Sequence, residues 1–172
     1  MRSGSGSLYL DANVVFSLLV DEPSTDRAES FLRRRAEPLI VSDFAAAELL
    51  SAVARRVRMR ELTSAQGQFV LSRVDLWLNR SANQIEIGPG DIAVAAAFLR
   101  RLDLPLRTPD AIHIAISQRL DSTLVTFDRR MGERTRAGHG CCDALRGCPV
   151  RPKYAMLQRE IFFSRWPRTA RT

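Results

Sequence analysis

The stretch TPDAIHIAISQRLDSTLVTFD, residues 108–128, decides the fold. Its first half is apolar almost throughout and opens with Thr108, Pro109 and Asp110, which read as N-cap, N1 and N2 of a helix. Its second half, STLVTF at 122–127, reads as a strand that ends at Asp128. The same alternation recurs outward from it. SLYL (7–10) is a short strand ending at Asp11, and NVVFSLL (13–19) is an apolar helical stretch. PSTDRAESFLRRRAE (23–37), with Ser24 as N-cap, is a surface helix, and PLIVS (38–42) is a buried strand. Ser42 caps the helix DFAAAELLSAVARRVRMR (43–60), in which Ala46, Leu49, Leu50, Val53 and Val57 form one apolar stripe. A further amphipathic helix covers 63–81, with Phe69, Val70, Val74, Trp77 and Leu78 inward. QIEI (84–87) is a strand closed by the turn GPG, and DIAVAAAFLRRLDL (91–104) is a helix. Short apolar strands alternating with helices predict a single α/β domain, a central parallel sheet flanked by helices.

A chain of 172 residues with 45% hydrophobic content suits one domain with a real core. No apolar run approaches the roughly 18 residues that a membrane span requires. MRSGSGS lacks the apolar core of a secretory signal, so residues 1–7 read as a flexible lead-in and the protein as cytoplasmic, with no membrane partner. The net charge of +7 is unevenly placed. Residues 1–132 hold 17 arginines against 16 acidic residues, whereas 133–172 hold eight arginines and Lys153 against Glu133, Asp143 and Glu160. The body, 8–132, is therefore balanced, and the tail, 133–172, is basic and atypical in its Arg, Gly, Pro and Cys content. The tail carries no clear helix or strand period. Its Cys141, Cys142 and Cys148 are odd in number and lack paired C-x₂-C spacing, so with His139 they read as free thiols and a lone histidine rather than a zinc site. The arginine runs at 33–35, 55–56 and 100–101 read mostly as solvated helix faces; some could touch phosphate groups, and spacing does not select which.

Four carboxylates carry the chemistry. In open α/β sheets ligands bind beyond the carboxyl ends of the strands. Asp11 and Asp128 each follow a strand there, although Asp also commonly ends strands and caps helices. Glu48 is the only charge between Phe44 and Ala54 and has no cationic partner at i+3 or i+4; a solvated helix edge explains it equally well. Asp110 sits where the helix dipole and free N–H groups favour a negative charge, as an ordinary helix start also would. If the four converge they repel, and such a cluster needs a cation. All-oxygen ligands select hard ions, Mg²⁺ or Mn²⁺. Ions of that kind hold phosphate oxygens, activate water and stabilise a leaving oxygen, which is the chemistry of phosphodiester hydrolysis. His113, one turn beyond Asp110, reads as a packed histidine rather than a general base.

LYLDANVVFSLL with Asp11, AAAELLSAV with Glu48, LRTPDAIHIA with Asp110 and LVTFDRRM with Asp128 together resemble the PIN-domain ribonucleases, specifically VapC-type toxins of bacterial toxin–antitoxin pairs. The resemblance covers roughly 8–131. It implies a PIN-like sheet, an acidic set of Asp11, Glu48, Asp110 and Asp128 binding Mg²⁺ or Mn²⁺, and RNA as substrate. It further implies a cognate antitoxin and a homodimer. Asn13 and Thr126 match polar family positions that orient a carboxylate or a water, though ordinary loop and strand hydrogen bonding explains them as well. The implied activity is a metal-dependent endoribonuclease. The tail departs from the family after Met131, where a helix and a last edge strand are usual. That departure leaves an alternative: a catalytically impaired PIN-fold module acting through antitoxin binding and operator repression.

Overall fold

The computed structural model describes residues 6–20 and 24–128, and the backbone of the strand at 153–156. The tail residues His139, Cys141, Cys142 and Cys148 lie outside the described residues. The elements in chain order are β1 (Leu8–Leu10), α1 (Ala12–Leu19), α2 (Thr25–Arg33), β2 (Leu39–Ser42), α3 (Asp43–Arg58), α4 (Ser64–Ser81), β3 (Asn83–Ile85), α5 (Pro89–Leu99), α6 (Thr108–Arg119), β4 (Thr123–Thr126) and β5 (Lys153–Met156). The strands form one sheet in the order β3-β2-β1-β4-β5, and every pairing is parallel. The parallel α/β expectation holds.

Strand alternation sends successive side chains to opposite faces and so divides the core in two. Leu8 and Leu10 of β1 and Val125 of β4 pack with apolar residues of α1–α4, among them Val14, Leu49 and Val74. Tyr9 and Leu124 point the other way, into a second cluster built by α5 and α6 from Ala95, Phe98, Ala111, Ile112 and Ile116. α6 has no polar stripe because it is buried from Asp110 to Ser117. The second layer is tied by Arg119 of α6, which donates two hydrogen bonds to the buried Asp91 of α5, at 2.8 and 2.9 Å. Burial pushes the Asp91 carboxyl up, but those bonds and the Gly88 N–H more than offset it and hold it below the usual range.

Several local expectations shift. The N-cap of α6 is Arg107, in extended conformation, so Thr108, Pro109 and Asp110 become N1, N2 and N3. The Asp110 carboxylate reaches back to the Arg107 N–H at 3.3 Å, which a residue at N3 can do. α5 starts at Pro89, inside the expected GPG turn, because Asp91 caps the Gly88 N–H at 2.8 Å. It stops at Leu99. Within α3 the seam is Ala45, Leu49 and Val53, while Leu50 is exposed and Ala46 and Val57 are half-buried. Phe69 of α4 is also exposed; the inward row is Gly67, Val70, Val74 and Leu78.

Gly67 explains that shift. A Cβ there would lie 2.6 Å from Val57 Cγ2 on α3, so the two helices meet where a side chain is missing. Gly67→Ala should therefore destabilise the protein despite a helix-propensity gain of about 1 kcal/mol. Overpacking costs about 1–3 kcal/mol, and valine has little rotamer freedom with which to yield. A thermal melt checks this; a higher midpoint for Gly67→Ala would show that the seam is loose.

The largest departure concerns the tail. No strand was legible after Met131, yet β5 pairs with β4 from Thr123↔Lys153 to Thr126↔Met156. An edge strand is present, and the tail provides it.

Candidate active site

β1 and β4 are parallel neighbours, with Leu10 opposite Val125, so their carboxyl ends open on the same side. Asp11 is the first residue past β1 and the N-cap of α1. Asp128 follows β4. Glu48 comes from the second turn of α3, and Asp110 from the first turn of α6. All four line a single cavity of about 540 Å³, together with Asn13 and His113. The four candidate acids, drawn from four separate parts of the chain, thus line one cavity; of them, Asp11 and Glu48 have ligand atoms within 4.8 Å of each other, and Asp110 and Asp128 lie outside that group.

Asp11 is the most constrained of them. Its Oδ2 accepts hydrogen bonds from Asn13 Nδ2 and from Thr126 Oγ1, each at 2.7 Å. Asn13 Oδ1 in turn accepts from the Phe127 N–H at 3.2 Å, and Thr126 Oγ1 accepts from the Asp128 N–H at 3.0 Å. Asn13 and Thr126 therefore fix the Asp11 carboxylate and also the chain leading into Asp128. Burial raises the Asp11 carboxyl above its ordinary range; His113 and Thr126 counter this only in part, and Glu48 adds to the rise.

His113 has more to do than its sequence position suggested. It is 1% exposed, with its ring against Phe44 at a centroid distance of 5.1 Å. Its Nε2 meets Glu48 Oε2 at 2.6 Å and lies 3.6 Å from Asp11 Oδ1. Its Nδ1 meets the Tyr9 hydroxyl at 2.8 Å, and that hydroxyl meets Ser42 Oγ at 2.7 Å. Burial pulls the His113 imidazolium down, but the bond to Glu48 and the charges of Asp11 and Glu48 outweigh it and leave the ring above the ordinary histidine range. Tyr9 and Ser42 were not legible as site residues. The available signal was a tyrosine in a fully buried strand, since a buried phenol needs a hydrogen-bond partner.

Among the described residues, ligand-type atoms of Asp11, Glu48 and His113 lie within 4.8 Å of one another. The donor chemistry fits a hard divalent cation. Five carboxylates line the cavity, Glu61 with the four candidates, and a buried carboxylate pushed toward its neutral form, as at Asp11, gains most from a neighbouring positive charge.

The cavity is bipolar. α3 carries Glu48, Ala52, Arg55 and Arg56 along it, with Met59 just past its end, so basic and apolar groups continue the wall that begins with an acid. Arg56 is held in place, 3.8 Å from Glu61 and over the Phe16 ring at 4.7 Å. No side-chain hydrogen bond or ion pair engages Arg55 among the described residues.

A PIN-domain family model matches residues 8–136. The ribonuclease VapC46 of Mycobacterium tuberculosis is 31% identical over 133 residues, which cover 76% of this chain and 91% of that protein. Two solved structures share the fold. M. tuberculosis VapC20, a sarcin-ricin loop cleaving toxin, gives a TM-score of 0.62 at 14% identity, over 74% of this chain and 94% of its own. VapBC2 of Rickettsia felis, bound to a DNA fragment from its promoter, gives 0.61 at 15% identity, over 87% and 97%. Family match, relative and acidic cavity agree: the chain belongs to the PIN-domain family, where it groups with the VapC proteins.

Proposed function

We propose that the protein is the toxin of a toxin–antitoxin pair and acts as a Mg²⁺- or Mn²⁺-dependent endoribonuclease. The observation that carries this reading is the convergence of Asp11, Glu48, Asp110 and Asp128 on one cavity. The similarity to VapC46, a ribonuclease, supports the reaction class. Asp11, Asp110 and Asp128 would hold the cation, and Glu48 would complete the site directly or through water. When bound, such an ion would offset the phosphate charge and ease loss of a proton from the attacking water. The chain's own groups do the rest. Asn13 and Thr126 hold Asp11 in one orientation. Glu48, about 30% exposed, reaches the cavity from α3, where a carboxylate can orient a nucleophile and take its proton. The expected products carry a 5′-phosphate and a 3′-hydroxyl.

The partners in this reading are cytoplasmic RNA, a cognate antitoxin and a second copy of the chain. No described helix is long and apolar enough to cross a membrane. The alternative, an impaired module acting through antitoxin binding and operator repression, draws on an apparent loss of the edge strand; β5 removes that ground. Incubating the purified, antitoxin-free protein with total RNA, with Mg²⁺, with Mn²⁺ and with EDTA, tests the enzyme reading. Cleavage confined to the metal lanes is expected; a folded protein that cuts nothing in any lane would sink it.

The basic wall of the cavity supports a role for arginine in holding the proposed RNA substrate. Of the three arginine runs, only Arg55 and Arg56 face the acids. Arg55 is seven residues from Glu48, about 10 Å along the helix axis, so it would meet a neighbouring phosphate rather than the one being cut. Arg55→Ala should weaken RNA binding in EDTA and reduce the slope of log affinity against log salt by about one. An unchanged slope would remove Arg55 from the RNA path.

A further inference from the structure

We infer that Tyr9, Ser42 and His113 form a hydrogen-bond relay whose task is to aim the Glu48 carboxylate at Asp11, making His113 a positioning residue of the nuclease site rather than a ligand or a base. This rests on the nuclease reading and adds residues to it that the acidic set does not contain.

The direction of each bond follows from the inventory of donors. Glu48 as a carboxylate can only accept, so the 2.6 Å contact places the hydrogen on His113 Nε2. If the ring is neutral, Nδ1 is then an acceptor, and the Tyr9 hydroxyl donates to it at 2.8 Å. Tyr9 Oη accepts in turn from the Ser42 hydroxyl at 2.7 Å, while Ser42 Oγ still accepts the Ala45 N–H at 3.0 Å. Every hydrogen in this chain has a partner. If the ring carries a second proton, Nδ1–H donates to Tyr9, and Tyr9 donates to Ser42. Only the two hydroxyl hydrogens turn, that of Ser42 away from Tyr9. Nε2–H points at Glu48 in both states, so the aim is independent of the charge on the ring.

The relay is also anchored mechanically. Ser42 is the last residue of β2 and the N-cap of α3, the helix that bears Glu48. Tyr9 is the middle of β1, one of the strands at the sheet's interior, and is 0% exposed. The start of α3 and its second turn are thus fixed to the same two buried side chains, one from the sheet and one from α6. A histidine serving as a metal ligand would present a bare Nε2, and here that atom carries the hydrogen spent on Glu48. Groups that orient a ligating side chain in this way typically govern metal affinity by about 10–100-fold.

The test uses Tyr9→Phe, which keeps the ring and removes the hydroxyl, and His113→Gln. Mn²⁺ affinity is measured by electron paramagnetic resonance, RNA affinity in EDTA by anisotropy, and the tautomer of His113 by ¹⁵N nuclear magnetic resonance on the wild type. Expected are a loss of about tenfold or more in Mn²⁺ affinity for both variants, unchanged RNA affinity in EDTA, and a hydrogen on Nε2. Wild-type Mn²⁺ affinity in Tyr9→Phe would overturn the relay, as would a neutral ring with bare Nε2 or Mn²⁺ hyperfine coupling to a histidine nitrogen. If His113→Gln does not fold, Tyr9→Phe and the tautomer decide alone. Failure of the wild type to bind Mn²⁺ or cut RNA would refute the parent reading instead, and the ¹⁵N spectrum would still decide whether Nε2 bears the hydrogen.

Discussion

Asp11→Asn should lose RNA cleavage and, with metal stripped away, melt at a higher temperature than the wild type. The two effects have one cause. Asp11 is 5% exposed and its carboxyl is raised by burial, so its charge is a burden on the folded chain that the proposed catalytic role requires. An acid whose folded pKa lies above its unfolded value subtracts stability once pH exceeds the unfolded value, and the loss grows until the folded pKa is passed. Asparagine removes that burden. Its side-chain oxygen can still accept from Asn13 and Thr126, which both bond to Oδ2. Relief of such a site is worth on the order of 1 kcal/mol, or about 2–4 °C for a chain of this size. The stability difference should close below about pH 4, where Asp is protonated in folded and unfolded chains alike. Cleavage should fall on the order of a thousandfold, the scale for removing one preorganised electrostatic group. Activity assays and melts in EDTA across pH check both halves. Asp11→Asn with wild-type cleavage would exclude Asp11 from the site, and a lower melting point at neutral pH would show that its hydrogen bonds outweigh its charge.

Adding Mg²⁺ or Mn²⁺ to the metal-free wild type should raise its melting temperature, progressively with concentration. A ligand that binds only the folded state adds about 2.7 kcal/mol when present at a hundred times its dissociation constant. The gain should grow as pH rises from acidic values, because each proton on Asp11 must leave before a cation can use that oxygen. It should shrink sharply in Asp11→Asn, and EDTA should reverse it. Scanning fluorimetry with metal titrations at two pH values is sufficient. A midpoint indifferent to both ions would mean that the four acids do not form a metal site, whatever cleavage assays show.

The acids were legible in the sequence because their chemistry is tied to position. Asp11 and Asp128 follow apolar strands, Glu48 is a lone charge on its helix, and Asp110 opens a helix. None of these features states which strands are neighbours. Only the pairing of β1 with β4 turns two strand ends into one cavity. The relay was hidden for a related reason. Tyr9, Ser42 and His113 are each unremarkable in local sequence, and the bond between Tyr9 and His113 spans 104 positions. Periodicity reports which side of an element is buried, not which partner waits there. It failed at Phe69 because the α3–α4 seam is centred on Gly67, a residue with no hydropathy to contribute. It failed at β5 because KYAM is short and surrounded by sequence with no period.

β5 has a consequence beyond completing the sheet. It starts at Lys153, after the family match has ended at residue 136. Without it, β4 would be an outermost strand, with a row of backbone amides and carbonyls from Thr123 to Thr126 open to any extended segment. Bare edges of that kind recruit other chains and lead to aggregation. The basic tail thus supplies the sheet's outermost strand, which moves the open edge from β4 to β5 and leaves β4 paired on both sides where Thr126 steadies Asp11.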